Sequence, residues 1–302
     1  MVEIRELYLD KNTSTTIHGN LYGLDYQIEE AGYQTKVYLD LYNDRIRVIK
    51  YRGEDITGLT RRLDYLAEKN SFGKVFLKAR SDEREKFLPH GYVLEGIFKH
   101  YFNGEHAYCL SKFYSQERRL SYRFEEATAI MEDVSRIEPD SIADYPVAEG
   151  FALREATSED IPALCKLYKS VFKTYPIPLN DPTYLELLLA SDYYFIVATD
   201  KDGRIVSCAS ADMSTEYGNA EITDCASLPE MRGKGLMAAI INALELEMKK
   251  RDISCLYSLA RALSPGMNTV FRKHGYTFTG RLVNNCNIFG KFEDMNLWVK
   301  KV

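Results

Sequence analysis

The run Asp224-Cys225-Ala226-Ser227-Leu228-Pro229-Glu230-Met231-Arg232-Gly233-Lys234-Gly235-Leu236-Met237 constrains this chain more than any other stretch. Residues 221–228 read as a strand that Pro229 stops, and Gly233 and Gly235 permit a tight backbone turn. Beyond the turn, Leu236, Ile240, Ala243, Leu244 and Met248 recur at helical spacing as far as Lys250. A strand that passes through a glycine turn into a helix leaves amide N–H groups unpaired at the positive end of the helix dipole. That arrangement suits a phosphate.

Two nucleotide patterns are excluded. A P-loop needs Ser or Thr directly after its lysine, whereas Lys234 is followed by Gly235 and Leu236; the dinucleotide fingerprint needs another Gly or Ala where this chain has Lys-Gly-Leu-Met. The run resembles instead the acetyl-CoA signature of the GNAT N-acetyltransferases, Gln/Arg-x-x-Gly-x-Gly/Ala. Arg232 and Gly235 match, and Met237 stands where a small residue is usual. Downstream, residues 253–261 read as a strand and 264–273 as a helix, and His274-Gly275-Tyr276 leads into a strand over 277–283. That order resembles the second half of the same family.

The chain's 302 residues, 45% of them hydrophobic, suffice for two sizeable cores. A net charge of -5 provides no basic field to gather polyanions, so nucleic acid is not an expected partner, whereas a small cationic amine is compatible. The six cysteines contain no C-x-x-C pair and read as small buried hydrophobes, with neither a metal site nor a disulfide framework. No signal-peptide core or membrane-length apolar run is visible, so a cytoplasmic protein without membrane association is expected.

In chain order, residues 15–22, 36–42 and 45–50 read as strands, with Asn43-Asp44 turning the last two into a hairpin. A helix is expected over 55–69, a strand over 74–80, a short helix over 82–88, and two strands after His90-Gly91-Tyr92. The same order returns later in the chain. Tyr51-Arg52-Gly53 parallels Met231-Arg232-Gly233, residues 75–80 parallel 256–261, and His90-Gly91-Tyr92 parallels His274-Gly275-Tyr276. Residues 1–114 are therefore expected to be a diverged, partial copy of the second domain. Where the second copy has Lys234-Gly235 the first has Glu54-Asp55, and carboxylates there would repel a phosphate. Residues 115–150 read as a connector, helical over 116–137 and broken by Glu138-Pro139-Asp140-Ser141 and Tyr145-Pro146.

From residue 151 the pattern is strand, two helices separated by a proline-stiffened loop over 175–182, a three-strand meander, then the glycine turn. The expected class is α/β with a mixed sheet: a GNAT acyl-CoA N-acyltransferase fold over 151–302, preceded by the degenerate copy. The resemblance implies acetyl-CoA as cosubstrate, its pyrophosphate on the turn from Arg232 and Gly233 through Lys234, Gly235 and Leu236 to Met237. The pantetheine arm would pair with Cys225, Ala226 and Ser227, and a backbone N–H near Cys225 would serve the oxyanion. Asn268 and Phe271 would lie on the cofactor side.

An alkyl ammonium has a pKa of about 10.4, so a base is useful at neutral pH. Glu221 is the first candidate, because some GNAT enzymes carry their basic glutamate at the matching position. Asp224 is the alternative, although strand alternation turns it to the other face unless a bulge intervenes. The family's usual tyrosine acid is replaced by Phe271, which leaves another tyrosine, water, or unassisted departure of the thiolate.

The segments from Ala260 to Asn268, Leu282 to Ile288 and Phe292 to Trp298 closely resemble the β-lysine N-acetyltransferase group, as does the long amino-terminal extension. The resemblance implies acetylation of the β-lysine side-chain amine, giving Nε-acetyl-β-lysine, a compatible solute. Arg261 is then expected to meet the substrate carboxylate, and Asn284, Asn285 and Glu293, with Asn287 and Asp294 nearby, to surround the amines. Polar groups at strand ends can equally cap turns. Acetylation of another small amine or of a protein lysine, and a non-catalytic CoA-binding sensor, remain open at this stage. So does the oligomeric state, a homodimer included.

Overall fold

The computed structural model describes residues 4–19, 22–140 and 145–302; Met1-Val2-Glu3, the Asn20-Leu21 part of the expected 15–22 strand, and Ser141 of the expected helix break lie outside the described residues. The first half holds β1 (Ile4–Tyr8) and β2 (Ser14–His18) as a separate hairpin, then β3 (Gly23–Glu30), β4 (Tyr33–Asp40), β5 (Arg45–Gly53), α1 (Ile56–Asn70), β6 (Lys74–Ala79), α2 (Arg84–Phe87), β7 (Val93–Phe102) and β8 (Glu105–Phe113). The connector carries α3 (Gln116–Arg119) and α4 (Phe124–Ser135). The second half runs β9 (Phe151–Glu155), α5 (Ile161–Val171), α6 (Pro182–Leu189), β10 (Tyr193–Asp200), β11 (Ile205–Ser214), β12 (Asn219–Ser227), α7 (Leu236–Lys250), β13 (Cys255–Arg261), α8 (Pro265–Lys273), β14 (Thr277–Ile288) and β15 (Lys291–Lys301).

Alternation fixes the faces. In β4, Tyr33, Thr35, Val37 and Leu39 are buried while Gln34 and Lys36 are exposed, the period of a strand with one covered face. Asp55 accepts the Gly58 N–H at 2.8 Å and starts α1, whose Leu59, Leu63 and Leu66 are buried. Two expectations need correction. The strands β1 and β3 lie outside the expected set, although Leu24, Tyr26 and Ile28 alternate with Asp25, Gln27 and Glu29 along β3. The helix expected over 116–137 is two helices, because Asn284 Nδ2 binds the carbonyls of Glu117, Arg118 and Leu120 and holds Leu120 in an extended conformation.

Thirteen strands form one continuous sheet in the order β3-β4-β5-β6-β8-β7-β14-β15-β13-β12-β11-β10-β9. The order β4-β5-β6-β8-β7 is repeated in reverse across the join as β14-β15-β13-β12-β11. The halves meet through β7 and β14, antiparallel, where Gly96 is opposite Gly280. Each glycine stands at the same distance beyond its His-Gly-Tyr triplet, and each lies beside a bulge, between Leu94 and Gly96 in one half and Phe278 and Gly280 in the other.

Contacts across the join also come in pairs. Arg45, which opens β5, donates to Asn285 O at 2.7 Å, and Asn219, which opens β12, donates to Tyr101 O at 2.7 Å. Lys74, first in β6, donates to Val283 O at 2.9 Å, and Cys255, first in β13, to Lys99 O at 3.1 Å. Between the halves lies a shared core of Phe76, Phe98, Tyr101 and Cys109 with Tyr257, Leu282, Met295 and Leu297.

A Cβ at Gly280 would lie 2.3 Å from both Glu95 O and Gly96 Cα, which are backbone atoms that cannot rotate away. Gly280→Ala is expected to destabilise the protein by about 2 to 3 kcal/mol in urea unfolding. A change within about 0.5 kcal/mol would show that the join is not close-packed.

Candidate active site

The turn into α7 is open at its mouth. Gly233 and Gly235 adopt φ of 80° and 75°, conformations that favour glycine, and a Cβ at either would meet nothing within 4 Å. Gly235 is the N-cap and offers no capping side chain. Among the described residues, the amides of residues 233–238 donate to no acceptor, and the first helical bond is Ala239 N to Gly235 O. Arg232 and Lys234 are exposed beside them, while Leu236 is buried and Met237 packs partly on the core. Such a nest of free amides at a helix N-terminus binds a diphosphate.

The corresponding place in the first half is closed. Asp55 takes an α1 amide with its own carboxylate, and Gly32 O accepts from the amides of Glu54 and Asp55 at 3.1 and 3.2 Å. The expected repulsion is thus joined by occupation, since protein atoms already fill the anion's position.

Beside the open turn the sheet splays. β12 pairs in parallel with β13 only from Asn219–Cys255 to Glu221–Tyr257, and then the strands part. Cys225, Ala226 and Ser227 therefore lie on an edge that β13 leaves free; Ser227 Oγ is 2.6 Å from Ser207 Oγ of β11. A bulge interrupts the pairing of β12 with β11, and Asp224 at its centre has φ of 54°. This bulge is the exception to strand alternation under which Asp224 does not simply face away from Glu221. Ser210 donates to Asp224 Oδ2 at 2.7 Å, and Ser210 shares its face with Asp212, the register partner of Glu221. Two phenols also approach: Tyr175 donates to Asp224 Oδ1 at 3.3 Å and Tyr168 to Asp224 O at 3.0 Å.

Three carboxylates thus gather under α5 and α6. Burial, then the neighbouring Asp212, pushes the Glu221 carboxyl up to about 7. Burial also raises Asp224 to about 6 against the opposing hydrogen bond from Ser210, and raises Asp212, which accepts the Tyr193 hydroxyl at 2.9 Å. Glu221 has no hydrogen-bond or ion-pair partner among the described residues and lines a cavity of about 300 Å³. The opposite wall is built by the first half, with Arg47 of β5 and Lys78 of β6.

Several expected residues lie elsewhere. Asn268 is fully buried and saturated: its amide donates to Arg261 O and Ser264 O, and its oxygen accepts from Asn296 and Trp298. It ties α8 to β13 and β15 and has no group left for a cofactor. Phe271 is fully buried against Tyr276, so its ring belongs to the core. Asn284 pins the connector, and with Glu293 it lines a separate cavity of about 450 Å³ beside Arg118 and Phe292. Asn285 is buried, and its carbonyl receives Arg45. Arg261 stacks on Phe289 with 4.9 Å to the ring centre and does not line the Glu221 cavity. These residues thus sit away from the Glu221 cavity, and Asn268 and Asn284 spend their amides on carbonyls of the fold. Asp212, Arg47, Lys78 and Tyr193 were missed. Asp212 could have been found from the β11–β12 register, but the two cations depend on a contact between halves that no local pattern encodes.

The raised Glu221 carboxyl has a stability consequence. Its folded value of about 7 lies above the ordinary 4.5, so its effect is absent below about pH 4.5, grows as pH rises from there to about 7, and is fully destabilising above that. Glu221→Gln should therefore stabilise the fold at pH 8 by up to about 3 kcal/mol and much less at pH 4.5, as read by chemical denaturation at both values. An equal effect at the two pH values would contradict the raised carboxyl.

Residues 161–276 match the family model described as Acetyltransferase (GNAT) family. The N-acetyltransferase YodP of Bacillus subtilis is 38% identical over 276 residues, which cover 91% of this chain and 98% of that protein. The β-lysine N(6)-acetyltransferases of Methanococcus maripaludis and Methanosarcina mazei are each 36% identical, over 85% and 82% of this chain and 93% and 97% of theirs. The likeness thus extends through the first half and the connector as well as the glycine turn. This chain belongs to the GNAT family of acetyltransferases, as an acetyl-CoA-dependent N-acetyltransferase similar along most of its length to the β-lysine N(6)-acetyltransferases.

Proposed function

We propose that the protein acetylates the side-chain amine of β-lysine in the cytoplasm, producing Nε-acetyl-β-lysine as a compatible solute. The observation that carries this reading is the near-complete coverage of the two proteins named β-lysine N(6)-acetyltransferase. The cavity beside the splayed strands supports it, because Asp212 and Glu221 on one of its walls suit a cationic amine.

In this reading the amides of residues 233–238, with Arg232 and Lys234, hold the acetyl-CoA pyrophosphate. The free edge at Cys225, Ala226 and Ser227 receives the pantetheine arm, and a backbone N–H near Cys225 faces the carbonyl oxygen as negative charge develops there. Glu221 takes a proton from the acceptor's ammonium so that the free amine attacks the thioester carbonyl and the thiolate leaves, with Asp224 as the second carboxylate; a base near 7 matches neutral operation. Phe271 has no proton to give, and a thiolate whose thiol has a pKa of about 8.5 is a tolerable leaving group. Residues 1–114 are a diverged copy of residues 151–302, joined by the connector over 115–150. The paired contacts across Gly96 and Gly280 support that descent.

The decisive assay follows thiol release from acetyl-CoA with β-lysine, lysine, simple diamines and a lysine peptide. β-lysine is expected to be the best acceptor; turnover of the peptide alone, or of no amine at all, would refute the reading. Replacing Gly235 by valine should raise the acetyl-CoA KM at least about tenfold, because the strained side chain would point into the amide nest. Activity should rise with pH through about 7 as Glu221 ionises, and Glu221→Gln should lower kcat about 100-fold and remove that limb of the profile. A variant that retains the same pH profile would exclude Glu221 as the base.

A further inference from the structure

The wall facing Glu221 carries positive charge that the fold itself does not use. Along β5 and β6, Arg45 pairs with Asp40 at 2.7 Å, Lys50 with Glu216 at 2.6 Å, Lys74 with Glu95 at 2.7 Å and Arg80 with Glu105 at 3.0 Å. Arg47 and Lys78 lie among these residues, are half-buried, and have no ion-pair partner among the described residues. Both line the same 300 Å³ cavity as Asp212 and Glu221.

Lys78 is held in place rather than loose. Its Nζ donates to Tyr101 OH at 2.9 Å and lies 5.0, 4.5 and 5.5 Å from the ring centres of Phe98, Tyr101 and Tyr257. Arg47 is placed by the repeated topology. It pairs with Phe76 in the parallel contact of β5 with β6, as Glu221 pairs with Tyr257 in that of β12 with β13. One structural position thus carries a cation in the first half and an anion in the second, and the cavity lies between them. Rings of Tyr38 and of the Tyr101 cluster flank these half-buried cations but no carboxylate among the described residues pairs with them, and an incoming anion relieves the remaining cost.

We propose that Arg47 and Lys78 bind the carboxylate of the acceptor, so that the first half selects amino-acid amines over plain polyamines. The ammonium groups then face Asp212 and Glu221, and the two ends of the acceptor meet opposite walls. This rests on the reading of the protein as an acetyltransferase of a small amino acid.

The test compares β-lysine with its carboxamide, which keeps both amines and loses the negative charge. Wild-type kcat/KM should favour β-lysine about 100-fold. Arg47→Gln and Lys78→Met should each remove most of that preference by lowering β-lysine turnover while leaving the carboxamide within about threefold, and Arg47→Lys should restore part of it. Acetyl-CoA affinity, measured directly, reports that each variant is folded, since the amide nest lies in the other half. Equal losses for acid and carboxamide, or a wild type indifferent to the charge, would overturn the proposal. If β-lysine is not a substrate, the proposed function fails separately. The same comparison is then made on the best carboxylate-bearing amine in the panel, and the absence of any acid preferred over its amide overturns this inference too.

Discussion

Everything in this molecule depends on two backbones passing within side-chain distance of each other at Gly96 and Gly280. The contact is small, a single register pair, yet it turns two half-sheets into one and sets their faces toward a common interior. Because strands twist with a fixed hand, a sheet this long curls, and the curl brings β5 and β6 opposite β12. Lys50 of β5 can therefore reach Glu216, just before β12, although six strands intervene between β5 and β12 in sheet order. A larger side chain at either glycine would separate the walls of the cavity before it disturbed any residue lining it.

Within that frame, the second half uses backbone irregularity where the chemistry is placed. The strands β12 and β13 part after Glu221, and the bulge at Asp224 brings a second carboxylate to the same face. Burying Asp212, Glu221 and Asp224 together is unfavourable for the fold and raises all three carboxyls, and the Asp212 charge adds to the effect on the other two. The same crowding lowers the cost of bringing in a cationic amine, which relieves the repulsion on arrival. Stability and acceptor binding therefore draw on one set of charges with opposite signs.

Local signals in the sequence were enough for the turn, its glycines and most elements of the second half, because strand–turn–helix patterning is written in adjacent residues. They pointed to Glu221 and Asp224 as candidates but not to the side that Asp224 faces, since a one-residue bulge reverses alternation without changing composition. The polar residues near the chain end are used in a way that is equally hidden from local pattern. Asn268 and Asn284 are as polar as ligand-binding residues, but they donate to carbonyls of β13 and α3, and the Asn285 carbonyl accepts from the Arg45 guanidinium of β5, partners brought in by tertiary folding. Sequence proximity to the family's motif could not distinguish these uses.

The fate of the first half's glycine turn explains why that half could change its role. Asp55 and the Gly32 carbonyl fill the place where a phosphate would sit, so the α1 amides are satisfied without a ligand. Once that need was met internally, the side chains facing the shared interior were free of any demand from a cosubstrate of their own. A basic residue at position 47, where the other half keeps an acid, is then no longer a defect. On the proposed reading, the first half keeps the geometry of a common fold and contributes charge of the opposite sign, and one cavity holds both ends of a zwitterion because its two walls differ in this way.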